Sequence, residues 1–405
     1  MVGGPPHPFF IPNFHADFYG CGKLVGMPNQ MPNSDIVNIP SEETTGDDGF
    51  TPVTTDEGKL QQLIEWLEEH VPAYSYTTVM SPMQGSPEEI QSLRESVNDR
   101  GARVPDAIIH GSMMVLGAAV NHSSPYLAYA SGSVDFEDIE VGNVPVRVFT
   151  PNNPTGAVVV AAHGGGFWMG NGALRDNAFA PNMAALAARS GAIVLDVDYR
   201  LAPEYPVSAS SDDVAVVSTA AASGALGLSA KGARPINADN PLVLYGVSSG
   251  GHTVVRASSK IGNDTAVALL LVAPALDLRG APAAWLEKYF GTSDDQSEEV
   301  SPGLYAPQTP LRVHVQSATK DTVVRPATEY LSKVREVGGV TSNSKFLATH
   351  QVAVPTVQRQ QITDAARFIL EVTNTERDLP GDPAGEYDKE AIDRENEASW
   401  GARPE

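Results

Sequence analysis

The sequence predicts an α/β protein, with a mostly parallel central sheet covered by helices on both faces and a helical segment ahead of it. Three observations predict it. From residue 134 onward, short apolar runs alternate with helical stretches, the order that builds a parallel sheet with crossover helices. The run Leu242 to Tyr245 passes without a gap into Gly246-Val247-Ser248-Ser249-Gly250, a G-x-S-x-G pattern on the end of a strand. The run Ala157 to Ala162 passes in the same way into His163-Gly164-Gly165-Gly166-Phe167-Trp168.

Taken in order, residues 1–55 are rich in Gly, Pro, Asn and Asp without a sustained period and read as an irregular extension. Its aromatic cluster, Phe9, Phe10, Phe14, Phe18 and Tyr19, is expected to lie against the body of the protein or a second subunit, which leaves a homodimer open. Residues 56–133 read as helical. Lys59 to Val71 puts Leu60, Leu63, Ile64, Leu67 and Val71 on one stripe. A second helix is announced by Ser86-Pro87-Glu88-Glu89, with a capping serine, proline at the first helical position and Glu three residues after the cap; Ile90, Leu93 and Val97 carry its apolar face. Ile108 to Val120, with Met113 and Met114, reads as a third helix serving either core packing or a pocket wall.

The core is expected over residues 134–372. Val134 to Val141 and Val144 to Phe149 alternate around Asn143, a hairpin at the sheet edge. Further strands are expected at Ala157 to Ala162, Ala192 to Val197, Leu242 to Tyr245, Ala266 to Val272, Leu311 to Gln316 and Ser344 to Leu347, and helices at Asn182 to Arg189, Asp212 to Ser223 and Gln361 to Val372. Residues 373–405 mix acids, Gly and Pro and read as a solvated, disordered tail whose exception is Trp400.

Composition excludes several partners. With 42% hydrophobic residues, 405 residues are enough for one large domain with additions. A net charge of -22 repels phosphate backbones and anionic lipid surfaces, so neither nucleic acid nor membrane is expected. No run approaches the ~18 apolar residues of a membrane span, and MVGGPPHPFF lacks the basic and apolar regions of a secretory signal, which predicts a cytoplasmic location. Cys21 is the single cysteine, so no intrachain disulfide forms. No His/Cys/Asp/Glu cluster has metal-ligand spacing and no nucleotide-binding glycine motif occurs, so neither metal nor cofactor is expected.

Through HGGGFWMGN, DYRLAPEYP and GVSSGG, in that order, the chain resembles the hormone-sensitive-lipase family of α/β-hydrolases, bacterial carboxylesterases included, over roughly Val134 to Val372. The resemblance implies a serine carboxylesterase that hydrolyses small, short-acyl esters through an acyl-enzyme. It implies Gly165, Gly166 and the N–H of Ser249 as oxyanion donors, and the helices ahead of the core as a cap over the site. Two departures stand out. Val247 replaces the aspartate that many relatives carry before the nucleophile, and Thr322-Val323 follow Asp321 where the family has proline and leucine. The short interval between Ser248 and Asp321 suggests that Leu278 to Pro310 builds a reduced lid.

A serine hydroxyl is a weak nucleophile until a base takes its proton, and a carboxylate usually orients that base. In hydrolases of this fold the acid and the histidine follow the serine on loops after later strands. Asp321 follows the strand ending at Gln316, and His350 the strand ending at Leu347. Of the other later histidines, His252 falls in the helix after the serine and His314 mid-strand, where structural roles are expected. Asp277 is the competing acid. Phe167 and Trp168, beside the glycines, are expected to line the substrate pocket, and His163 to hold the glycine loop. The same machinery would serve an amidase or a deacetylase, and a hydrolase-fold receptor without turnover is the reading from another class.

Overall fold

The computed structural model describes residues 56–70, 85–105, 107–108, 111–112, 134–262, 264–377 and 379. The Phe9 to Tyr19 cluster, Cys21, Val71, Met113, Met114 and Trp400 lie outside them, as does most of the expected third helix and tail.

Among the described residues, eight strands form one sheet: β1 (Val134–Val141), β2 (Val144–Pro151), β3 (Val158–Ala162), β4 (Ile193–Val197), β5 (Leu242–Val247), β6 (Val267–Val272), β7 (Arg312–Ala318) and β8 (Val340–Phe346). Their order is β1-β2-β4-β3-β5-β6-β7-β8. The β1–β2 hairpin turns at Gly142-Asn143, both at positive φ (57° and 68°), the backbone that suits a two-residue hairpin loop. β2 runs antiparallel to β4, and every later pairing is parallel. β3 and β4 are buried along their whole length, which is why they read as continuous apolar runs.

Among the described residues, the helices of eight residues or more are α1 (Asp56–His70), α2 (Pro87–Gly101), α3 (Ala180–Ser190), α4 (Val207–Ala222), α5 (Ser249–Ser258), α6 (Ala283–Phe290), α7 (Thr328–Glu336) and α8 (Pro355–Val372). One face of the sheet buries Val214, Val254 and Val334 from α4, α5 and α7; the other buries Leu186 and Ile369 from α3 and α8. Above the carboxyl ends of the strands, a third cluster joins Leu60, Leu63, Trp66 and Leu67 of α1 and Val97 of α2 to Phe167, Trp168 and Trp285. The Ser86 capping box is present, with the Glu89 N–H donating to Ser86 Oγ at 3.2 Å and the Ser86 N–H donating to the Glu89 carboxylate at 2.7 Å.

Three boundaries differ from expectation by four residues or more. β8 begins at Val340 rather than Ser344, because an edge strand bonded only to β7 tolerates the polar residues Thr341, Ser342 and Asn343. α8 begins at Pro355 rather than Gln361; a proline at the helix start is well placed there, but Gln358, Arg359 and Gln360 obscure the apolar stripe. α4 begins five residues earlier than expected, immediately after Pro206. The stretch Leu278 to Pro310 contains α6, whose Trp285, Leu286 and Tyr289 are buried in the cluster above the strands. Among the described residues, no helix is long and apolar enough to cross a membrane.

His252 of α5 sits in this core, edge-on to Phe167 (ring centroids 5.2 Å) and with Nε2 donating to the Glu299 carbonyl at 2.8 Å. Burial pushes its pKa down from 6.5 to about 3, so the folded protein holds it neutral. The unfolded chain takes up that proton first, so the contribution of neutral His252 is present above pH 6.5 and is lost as the pH falls toward about 3. Thermal unfolding measured from pH 7 to pH 4 is expected to show a falling Tm, with a shallower slope in His252→Gln, which keeps a donor for Glu299 without the titration. Equal slopes in the two proteins would contradict this.

Candidate active site

Ser248 stands between β5 and α5 with φ 53° and ψ −118°, a backbone conformation that costs energy for a residue with a side chain. The neighbouring glycines are required by contact. A Cβ on Gly246 would stand 2.5 Å from the Gly250 carbonyl oxygen, and one on Gly250 would stand 2.2 Å and 2.4 Å from the Ala162 and His163 oxygens of the adjacent strand. The turn is therefore sealed against both α5 and β3. Ser248 N donates to the Val272 carbonyl at 2.9 Å, which fixes its height above β6.

Around Ser248 the structure gathers residues from four loops. His350, after β8, places Nε2 at 2.9 Å from Ser248 Oγ and Nδ1 at 2.8 Å from Asp321 Oδ2. Asp321, after β7, also accepts the N–H groups of Val323 (2.8 Å) and Val324 (3.1 Å) on Oδ1. Burial alone would raise the Asp321 carboxyl, but His350 and these two N–H groups outweigh it and hold it below the ordinary carboxylate range. The Thr322-Val323 sequel thus still supplies backbone donors. Asp277, the competing acid, is committed elsewhere: it takes Arg279 (2.7 Å) and Arg325 (3.1 Å) on its carboxylate.

The glycine loop after β3 lies directly against the serine, since a Cβ on Gly164 would be 3.3 Å from Ser248 Cβ. Gly165 and Gly166 have φ of 127° and 59°, and the loop closes on itself with Trp168 N and Met169 N donating to Gly165 O. Among the described residues, the N–H groups of Gly165, Gly166 and Ser249 donate to no backbone carbonyl; that of Ser249 is one of the free donors at the start of α5. All three residues line one cavity with Ser248, His350, Phe167 and Trp168; its volume is about 540 Å³. Phe167 and Trp168 are themselves nearly enclosed, packed among Trp285, Phe290 and α1. His163 is buried beneath the loop, its ring stacked on Tyr199 at 4.2 Å, with the Tyr199 hydroxyl donating to the His163 carbonyl at 2.6 Å. His314 bonds Asp364 at 2.7 Å and Ser342 at 2.8 Å, and neither Ser248 nor Asp321.

Two residues were not singled out in the sequence. Arg94 and Asn98 of α2 are buried, whereas Leu93, expected on the apolar face, is 38% exposed. The Arg94 guanidinium donates to the Trp168 and Ala202 carbonyls and pairs with Glu204. Asn98 donates to the Asn171 carbonyl at 2.9 Å and accepts the Gly170 N–H at 3.2 Å. A helical stripe through Ile90, Arg94, Val97, Asn98 and Gly101 was the available signal. In the DYRLAPE segment, Asp198 pairs with Arg175, Arg200 with Asp213, and Glu204 with Arg94.

Because Asn98 holds the backbone that follows the glycines, Asn98→Ala is expected to slow modification of Ser248 by a fluorophosphonate by about 10²-fold, the scale of a 1 Å misplacement. Leu93→Ala, on the solvent side of the same helix, is the control. Equal modification rates in both variants would show that α2 does not hold the loop.

A family model described as alpha/beta hydrolase fold matches residues 159–349. The chain is similar to tuliposide A-converting enzyme 2 of Tulipa gesneriana, 35% identical over 107 residues that make up 24% of this chain and 25% of that protein. It is similar to carboxylesterase NlhH of Mycobacterium tuberculosis, 45% identical over 76 residues, 18% of this chain and 22% of that one. The chain thus spans about a quarter of the length of these curated relatives. Among solved structures, an arylesterase aligns with TM-score 0.55 at 19% identity, covering 80% of this chain and all of that one, and esterase LipW from Mycobacterium marinum aligns with TM-score 0.54 at 22% identity, covering 74% and 95%. These structures share the fold. With the glycine loop, the serine turn and the sheet order in place, the chain has the α/β-hydrolase fold and is similar to the family that this model describes over residues 159–349, a little under half of its length.

Proposed function

We propose that the chain is a serine carboxylesterase acting on small esters with short acyl groups. The observation that carries the proposal is the single histidine bridging Ser248 and Asp321 at 2.9 Å and 2.8 Å beside a glycine loop whose Gly165 and Gly166 N–H groups donate to no backbone carbonyl among the described residues. His350 Nε2 takes the hydroxyl proton as Ser248 Oγ attacks the ester carbonyl. The N–H groups of Gly165, Gly166 and Ser249 stabilise the oxyanion, each worth about 3 kcal/mol when well placed. His350 then delivers the proton to the departing alcohol, leaving the acyl group on Oγ. Water attacks that acyl carbon while giving its proton to His350, and the proton returns to Ser248 as the carboxylic acid leaves. Asp321, ionised throughout, holds the Nδ1 proton and steadies the imidazolium. The likeness to a carboxylesterase of Mycobacterium tuberculosis supports this class, and the substrate is a small molecule.

Residues 56–133 act as the cap in this proposal. α1 and α2 pack against Phe167 and Trp168, and Gly101, Val104 and Ile108 reach the cavity wall. Apolar walls reward each added methylene by ~0.8 kcal/mol only while surface remains to bury it. Nitrophenyl esters are therefore expected to show kcat/KM rising to an optimum between about two and six acyl carbons. A preference for chains beyond ten carbons would contradict a closed pocket.

Ser248→Ala is expected to lower kcat on nitrophenyl butyrate by about 10⁶-fold with the circular dichroism spectrum retained. Asp321→Asn is expected to cost about 10⁴-fold by leaving His350 in the wrong tautomer. Asp277→Asn, which unsettles only the Arg279 and Arg325 contacts, is expected to cost far less. The reverse ranking of the two aspartates would move the acid to Asp277.

A further inference from the structure

The cavity does not end at Ser248. It continues down the face of the sheet between the amino-terminal halves of α3 and α8, where Asn182, Met183, Leu186, Gln358, Gln361 and Ile362 line it. Its volume of about 540 Å³ falls in the range that encloses drug-sized ligands, more than a short acyl ester of a small alcohol occupies.

The floor of this lobe is Tyr245. It lies on the central strand β5, paired with Ala161 on one side and Leu270 on the other, and faces α3 and α8 together with Val243. Ala161, Leu270 and Val243 are at most 1% exposed, whereas Tyr245 retains partial exposure. Mid-sheet, the cavity is what exposes it. Among the described residues its hydroxyl makes no hydrogen bond, unlike that of Tyr199, which donates to the His163 carbonyl. A phenol placed against an apolar sheet normally finds a partner.

The opposite wall is polar in the same way. Asn182 spends its amide N–H on the Ala178 carbonyl at 2.9 Å and Gln358 spends its own on the Ala353 carbonyl at 3.2 Å, which leaves both side-chain carbonyls as acceptors. Gln361 receives Gln316 on its backbone carbonyl at 2.8 Å while its side-chain amide has no protein partner among the described residues. Among the described residues no free charge faces the space: the carboxylate in its lining is that of Asp277, which is paired with Arg279 and Arg325. An ionic substituent would be desolvated there without a counter-ion. A hydroxyl, which both donates and accepts, matches the set. Met183, Leu186 and Ile362 suit the carbon chain that carries it.

We propose that this lobe is a subsite for an uncharged, hydroxyl-bearing part of the substrate, with Tyr245 and Gln361 as its specificity-determining residues. It rests on the ester-hydrolase reading and narrows it, since the favoured ester carries a hydroxyl on its acyl or its alcohol part. α8 is a firm wall for such a site, because Asp364 takes His314, Gln316 and Ser344 from two strands at 2.7 Å, 2.9 Å and 3.0 Å.

The test compares kcat/KM within matched pairs. The acyl arm is nitrophenyl 6-hydroxyhexanoate against nitrophenyl hexanoate; the alcohol arm is 4-hydroxybutyl butyrate against butyl butyrate. In wild-type protein the hydroxylated member of one arm is expected to be favoured about tenfold, the worth of a hydrogen bond or two. In Tyr245→Phe that ratio is expected to fall toward one, and Gln361→Leu is expected to reduce it. Each ratio is internal to one protein, so a general loss of activity cannot imitate the result. A ratio at or below one in both arms of the wild type overturns the proposal, as does a preference that survives both substitutions. Nitrophenyl acetate, too short to reach the lobe, reports the ester reading separately. Wild-type protein inert toward acetate would overturn both readings; acetate turnover without hydroxyl preference would overturn only this one.

Discussion

The rest of the structure depends on keeping one serine in a backbone conformation that serines avoid. At φ 53° and ψ −118° Ser248 is stable only because its surroundings leave no other path for the chain. Gly246 and Gly250 let α5 turn back against β5 and β3, with spacings that admit no Cβ. Ser248 N is tied to Val272 and Ser248 O to the N–H groups of Gly251 and Ala275. A parallel sheet with fully buried central strands provides the rigidity this requires.

Once the serine is fixed, the other groups meet it from loops at the same edge of the sheet. Asp321 and His350 follow neighbouring strands, β7 and β8, so the pairing of those strands sets the aspartate against the imidazole. The glycine loop follows β3, next to β5, and its free N–H groups are held open from outside: Arg94 and Asn98 reach across from α2 to the carbonyls of Trp168 and Asn171 and the N–H of Gly170. The amino-terminal helices thus touch the proposed site through the backbone they hold as well as through the residues they add to the cavity wall.

What the sequence made legible was local. G-x-S-x-G and HGGG carry their strands, turns and glycines within a few residues, and the hairpin around Asn143 states its own register. Asp321 and His350 could be reached by chain order alone, because the fold that those motifs announce puts later acids and histidines at one edge. α6 and α7, of eight and nine residues, are too short for periodicity to stand out. β8 is an edge strand whose first half is polar and carries no apolar run. Arg94 and Asn98 carry no signal of their own in the sequence, because polar residues on a helix are usually solvated; their burial depends on carbonyls more than seventy residues away. The exposure of Tyr245 depends on the gap between α3 and α8, which no local pattern records.

The central claim is that Ser248, activated by His350, is the nucleophile. It is tested most directly by treating the intact protein with a fluorophosphonate until ester hydrolysis stops and locating the adduct by peptide mass spectrometry. The account predicts one adduct per chain, on Ser248, formed in proportion to the activity lost. An adduct on another residue, or full hydrolysis from protein fully modified at Ser248, would contradict it.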